Sequence, residues 1–197
     1  MAEPEARAAA PAGGVADPAP LGLAAFALTT FLLSVSNAGW TSGTGAAGYL
    51  GYALAYGGLV QLLAGMWEFR RNNTFGAVAF SSYGGFWIGL FLYSVFVHST
   101  NAENDLGWIL LAFAIFNTYM LISSARINMA VFAVFLVLEL TEIVLFIGFF
   151  SSTSGIIKTG GVLGVITAVV AWYTSFAGVL NSLGGSRTVP VGTPLMR

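Results

Sequence analysis

Two acids sit in one apolar run of this sequence, Glu139 and Glu142, between Met129 and Phe150. Three residues apart, they fall on adjacent turns of a helix. An ionised carboxylate deep in a bilayer costs about 2.5–3.5 kcal/mol or more, and no arginine or lysine lies inside any apolar run to neutralise one. The pair is therefore expected to share a proton, or to face a wet cavity or a subunit interface. Such acids serve function or, as neutral groups, bond neighbouring helices. A second cluster, Ser81-Ser82-Tyr83, brings three hydroxyls to the middle of another apolar run, followed by Gly84-Gly85. A buried tyrosine there needs a partner for its hydroxyl, either another helix or a solute. A third pattern places Phe26, Thr30, Leu33 and Asn37 on one helical stripe at spacings of four, three and four. Such a stripe packs helices or lines a path.

Other chemistry is excluded by what is missing. The chain has no cysteine, one histidine (His98) and one lysine (Lys158), so thiolate metal sites and multi-histidine sites within one chain are ruled out. No nucleophile–base pair is visible. The expectation is no enzyme, no cofactor and no metal.

These residues need membrane helices to position them. Of 197 residues, 57% are hydrophobic and 8% charged, with a mean hydropathy of +0.83. Soluble domains carry about 25% charged residues. A net charge of −1 with no basic cluster excludes nucleic acid as a partner. The sequence predicts an all-α integral membrane protein. No charge occurs between Asp17 and Glu68, a gap too long for one span of about 20 residues and right for two. The predicted spans are Leu21–Trp40, Ala46–Trp67, Phe75–Val97, Leu106–Ile122, Met129–Phe150 and Gly161–Val179. With six spans, Arg7, Arg70, Arg71, Arg126, Arg187 and Arg197 share one side and Lys158 stands opposite with Glu103 and Asp105. The positive-inside rule then places both termini in the cytoplasm. Residues 1–16 read as a disordered cytoplasmic tail without signal-peptide features, 17–184 as the transmembrane domain and 185–197 as a short cytoplasmic tail.

Small residues form two rows: Gly160, Gly164 and Ala168, and Gly51 with Ala55. Such rows let backbones approach, within a subunit or between subunits. Two motif matches are discounted. Gly43-Thr44-Gly45-Ala46-Ala47-Gly48 fits a dinucleotide fingerprint but follows a membrane span, with no strand before it. Asn72-Asn73-Thr74 fits a glycosylation acceptor but lies in an arginine-bearing cytoplasmic loop.

At the start of the first span the chain reads Asp17-Pro18-Ala19-Pro20-Leu21-Gly22-Leu23. A second block comprises Gln61, Ala64-Gly65, Glu68, Asn73-Thr74-Phe75-Gly76, Ala79-Phe80, Ser82-Tyr83-Gly84 and Phe86-Trp87. On these blocks the sequence resembles the acetate uptake transporter family, or succinate–acetate permeases, from about Asp17 to the C-terminal tail. The family opens on asparagine where this chain has Asp17. The resemblance implies six helices around a central solute path, assembly as a homo-hexamer in the plasma membrane, and uptake of acetate, and often succinate, with protons. It implies a narrow point made by Phe26 on the first helix, Tyr83 on the third and a residue of the fifth helix at Phe135 or Leu136. Thr30, Asn37 and Tyr83 would donate to the carboxylate, with Phe26 on its methyl end. Glu139 and Glu142 are not part of the family pattern, and possible proton coupling is assigned to them on their burial alone. The alternatives are a passive channel for a neutral solute such as urea or ammonia, and a membrane assembly or signalling protein that transports nothing.

Overall fold

The computed structural model describes residues 14–41, 47–184 and 188–196. Among them, six helices are long and apolar enough to cross a membrane: α1 Ala19–Asn37, α2 Leu50–Arg70, α3 Thr74–Phe96, α4 Ala102–Ser124, α5 Met129–Phe150 and α6 Ser154–Ser182. The predicted residues 1–13 of the N-terminal tail and most of the discounted glycine motif, 43–46, lie outside the described residues.

The helix boundaries have local causes. Pro18 and Pro20 have the fixed φ of a helical first turn. Asp17 Oδ1 accepts the Ala19 N–H at 3.1 Å and also pairs with Arg71, tying the start of α1 to the α2–α3 turn. Asn73 caps α3: its Oδ1 accepts from Gly76 N at 3.2 Å. Asn128 does the same for α5 through Val131 N at 2.9 Å. Within α2 the segment Ala53–Val60 widens into π-helical turns before the α-helix resumes at Gln61. Gly57 lies in that segment, and a β-carbon on it would stand 2.6 Å from Thr29 Oγ1, so α2 meets α1 at a separation only glycine permits.

Two spans begin earlier than predicted by a turn or more. α4 starts at Ala102 rather than Leu106, with Glu103 and Asp105 in its first turn, where carboxylates favour the positive end of the helix dipole. α6 runs 29 residues, from Ser154 to Ser182, instead of Gly161–Val179. At 1.5 Å per residue it is about 44 Å long, longer than the roughly 30 Å hydrocarbon core. Its first turns therefore reach beyond the core and hold Lys158 there, on a helix rather than in a loop.

The helices close a ring. α1 packs on α6 and α2, α6 on α5, α5 on α4, and α2 on α3. The α3–α4 seam is filled by aromatic rings, among them Phe86–Phe113 at 4.7 Å and Tyr83–Phe116 at 5.5 Å. The row Gly160, Gly164, Ala168 is buried and serves this ring: Gly164 lies against Ser34 of α1, and Gly160 against Leu145 of α5. Gly51 and Ala55, by contrast, are exposed. One end of the bundle carries residues 14–18, the α2–α3 and α4–α5 turns and residues 188–196; we call it the terminal end, and the opposite one the distal end. Residues 188–196 lie across the terminal end: Ala130 N donates to Val191 O at 2.9 Å, Leu195 N to Ala125 O at 2.8 Å, and Val189 N to Asn181 Oδ1 at 2.8 Å.

Candidate functional site

Three cavities follow one another inside the ring. At the distal end, a cavity of about 240 Å³ is lined by Leu33, Asn37, Leu106 and Leu145. It shares Leu33, Asn37, Phe86, Leu110 and Leu145 with a smaller one of about 40 Å³, the distal chamber, whose walls also include Thr30, Trp87 and Glu142. On the other side lies the terminal chamber, about 110 Å³, bordered by Gln61, Glu68, Asn73 and Phe135. The distal and terminal chambers have three lining residues in common: Phe26, Tyr83 and Leu138. These residues are 4–6% exposed, and the Phe26 and Tyr83 rings meet edge-on at 5.6 Å. They form the narrow point between the chambers.

The stripe on α1 faces this interior: Phe26, Thr30, Leu33 and Asn37 all border the distal chamber. On α5 the two expected residues, Phe135 and Leu136, part company. Leu136 is 39% exposed and borders neither chamber. One residue along a helix is a turn of about 100°, which carries Leu136 away from the inward face shared by Phe135 and Leu138. Phe135 does point inward, but toward the terminal chamber, against Phe75 at 5.2 Å. The residue at the narrow point is Leu138.

The two acids are joined through other side chains rather than face to face. Asn117 Nδ2 lies 3.0 Å from the Phe135 carbonyl and 2.6 Å from Glu139 Oε2. A backbone carbonyl only accepts, so Nδ2 must face it and the Asn117 amide orientation follows. Asn117 Oδ1 then accepts the Tyr83 hydroxyl hydrogen at 2.9 Å. Glu142 Oε1 lies 3.3 Å from the same tyrosine oxygen. Glu139 Oε1 is 2.8 Å from Thr118 Oγ1 on the outer side of α4. A polar chain thus runs from the narrow point through the α4–α5 seam toward the outer surface. Asn117 escaped the sequence reading. An amide between Phe116 and Thr118 in an apolar span was the available signal.

Several buried polar atoms near the path have no partner: Thr30 Oγ1, Trp87 Nε1 and Glu142 Oε2 at the distal chamber, and Gln61 Oε1 and Glu68 Oε1 at the terminal chamber. Glu68 is fully buried, and its other oxygen accepts from Asn73 Nδ2 at 2.9 Å. Among the described residues no three histidine, cysteine or acidic side chains gather as a metal site.

The profile of the GPR1/FUN34/yaaH family matches residues 2–193. The chain belongs to this family. The resemblance read from Asp17–Leu23 and Gln61–Trp87 is thus borne out. Within the family, the chain is 42% identical to acetate permease A of Emericella nidulans over 89% of its own length, and spans 65% of the length of that relative. It is 35% identical to the succinate-acetate/proton symporter SatP of Escherichia coli, over 90% of this chain and 96% of SatP. The solved structure of the bacterial acetate channel SatP superposes with a TM-score of 0.85 at 32% identity, covering 91% of this chain and all of that one. As a member of this family with six spans, the chain is a multi-pass membrane protein.

Proposed function

We propose that this protein passes acetate and similar small carboxylates, succinate among them, across the plasma membrane, with protons accompanying them. The observation that carries this reading is the pair of chambers meeting at Phe26, Tyr83 and Leu138. A narrow apolar point flanked by polar groups passes a small amphipathic solute and blocks hydrated ions, because selectivity follows pore width and lining donors. In this reading Thr30, Asn37 and Tyr83 contact the carboxyl, Phe26 packs on the methyl end, and the Glu139–Glu142 network holds the proton of the site. Transport rather than catalysis is also what SatP and acetate permease A are named for.

The decisive experiment is radiolabelled acetate uptake into proteoliposomes, with and without an imposed proton gradient. Uptake that the gradient accelerates is the expected result; absence of acetate flux in either condition overturns the proposal. We further propose that both termini are cytoplasmic, because Arg70, Arg71 and Arg126 gather at the terminal end and Lys158 is distal. Cysteine labelling that finds positions 70 and 103 on one side contradicts this. A homo-hexamer accords with the exposed small residues Gly51 and Ala55 on α2. Native mass measurement in detergent tests it.

A further inference from the structure

The three unpartnered atoms of the distal chamber belong to side chains 2–6% exposed, and each has a defined hydrogen-bonding sense. Trp87 Nε1 only donates. Thr30 is unusual among the buried threonines. Thr29, Thr141, Thr167 and Thr174 each donate to the carbonyl four residues back, at 2.8–3.0 Å, the ordinary resting place of a helical threonine. Thr30 makes no such bond, so its hydroxyl hydrogen is uncommitted, on a residue that lines the chamber.

The sense of Glu142 follows from counting hydrogens. Tyr83 has one hydroxyl hydrogen, and it is committed to Asn117 Oδ1. The 3.3 Å contact between Glu142 Oε1 and the tyrosine oxygen is then a bond only if the glutamic acid supplies the hydrogen. Its other oxygen, Oε2, is left as an unpartnered carbonyl-type acceptor on a side chain that lines the chamber. The titratable groups facing Glu142 are Tyr83 from α3 and Glu139 from its own helix. The chamber residues of α1 and α4 add none.

Two donors and one acceptor describe a ligand. We infer that the distal chamber is a recognition site for the neutral form of a small carboxylic acid, whose carbonyl accepts from Trp87 and Thr30 and whose O–H donates to Glu142 Oε2. The inference rests on the carboxylate-transport reading and names the species that is bound. An anion at the same place would set its own lone pairs against Glu142 Oε2. Leu33, Leu110 and Leu145 supply apolar wall for the hydrocarbon end, and about 40 Å³ restricts the site to small acids. Glu142 then keeps its proton, and the proton that crosses rides on the solute.

The test is equilibrium binding of radiolabelled acetate to the purified full chain in detergent at pH 5.5 and 7.5, with acetamide as competitor. A carboxyl group titrates near pH 4.3, so if only the protonated fraction binds, apparent affinity for total acetate falls about tenfold per pH unit. Acetamide, with a carbonyl and an N–H donor but no charge, competes equally well at both pH values. Glu142→Gln preserves the slope, because its amide donates to the Tyr83 oxygen and leaves a carbonyl facing the chamber. Glu142→Leu removes the acceptor and flattens the slope. Trp87→Phe weakens acetate and acetamide alike, severalfold, with the slope intact. Equal acetate affinity at both pH values, failure of acetamide to compete, or a flattened slope in Glu142→Gln overturns the inference. If liposome flux of acetate persists alongside any of these results, the transport reading stands and only this inference falls. Absence of both acetate binding and flux removes both.

Discussion

The two chambers flank one constriction and differ in the polar atoms left without a partner. The terminal chamber presents unpartnered oxygens, Gln61 Oε1 and Glu68 Oε1, and the Glu68 carboxyl is anchored by Asn73, the same side chain that caps α3. At the distal chamber the unpartnered atoms are two donors, Trp87 Nε1 and the Thr30 hydroxyl, and one acceptor, Glu142 Oε2. A carboxylate anion meets unpartnered donors on one side, whereas on the other the unpartnered atoms are oxygens. A neutral carboxylic acid, with one donor and one acceptor, suits both. On the proposed reading, the difference means that the path distinguishes solutes by hydrogen-bonding sense rather than net charge: among the described residues, neither chamber is lined by arginine, lysine or histidine.

The strongest way to break this contrast is to move the α1 stripe. Gly161 of α6 lies against the α1 C-terminus, where an added β-carbon would fall 2.7 Å from Asn37 C and 2.8 Å from Ala38 Cα. Gly161→Val meets backbone, which cannot rotate away, and overpacking of this kind costs about 1–3 kcal/mol or more. We expect distal acetamide binding to disappear and the melting temperature in detergent to fall; an unchanged melting temperature and intact binding would show that α1 is not held by this contact.

A smaller effect is expected from Tyr83→Phe. It keeps the ring at the constriction and removes the oxygen shared by Asn117 and Glu142. Each buried group left without its partner costs about 1–3 kcal/mol. Reduced thermal stability with the size selectivity of flux preserved is the expected pattern, read by thermal unfolding and by uptake of acetate against longer acids. Wild-type stability would mean that the polar chain is not formed.

The third comparison separates two neighbouring leucines. Leu138→Ala widens the constriction, so flux of four-carbon carboxylates relative to acetate should rise severalfold. Leu136→Ala, at an exposed position, should leave that ratio unchanged and stability within about 0.5 kcal/mol. Equal effects of the two substitutions would remove Leu138 from the narrow point.

Much of this architecture was legible in the residues. The uncharged run from Asp17 to Glu68 and the arginines at later turns marked six spans, because charge is excluded from the hydrocarbon core. Spans one to three ran within about four residues of the observed helices, and span five matched Met129–Phe150 at both ends. The first turns of α4 and α6 were missed because hydropathy reports where a helix is apolar, and these turns are polar. The inward stripe of α1 was visible as spacing, but spacing alone cannot say whether a cavity or a neighbour lies opposite. Leu138 was missed for a related reason. Counting along α5 from Ala125-Arg126 fixes a helical position only to within a residue or two, and one residue is enough to turn a side chain from the path to the outside. Glu139 and Glu142 read as a pair on adjacent turns of one helix. Their separation onto Asn117 and Tyr83 depends on how α4 and α3 approach, which no local pattern encodes.

The segment 188–196 bears on how the protein can be handled. The Val191 carbonyl takes up an N–H in the first turn of α5, and the Ala125 carbonyl beside the α4–α5 turn receives Leu195 and Met196. The first N–H groups of a helix have no acceptor within it, so here residues 188–196 do the work of a capping residue. Shortening the chain before Val189, or pulling on it with a rigid C-terminal fusion, would fray the helix that carries Leu138 and Glu142. A variant that keeps residues 188–196 free of rigid attachments would leave that latch closed.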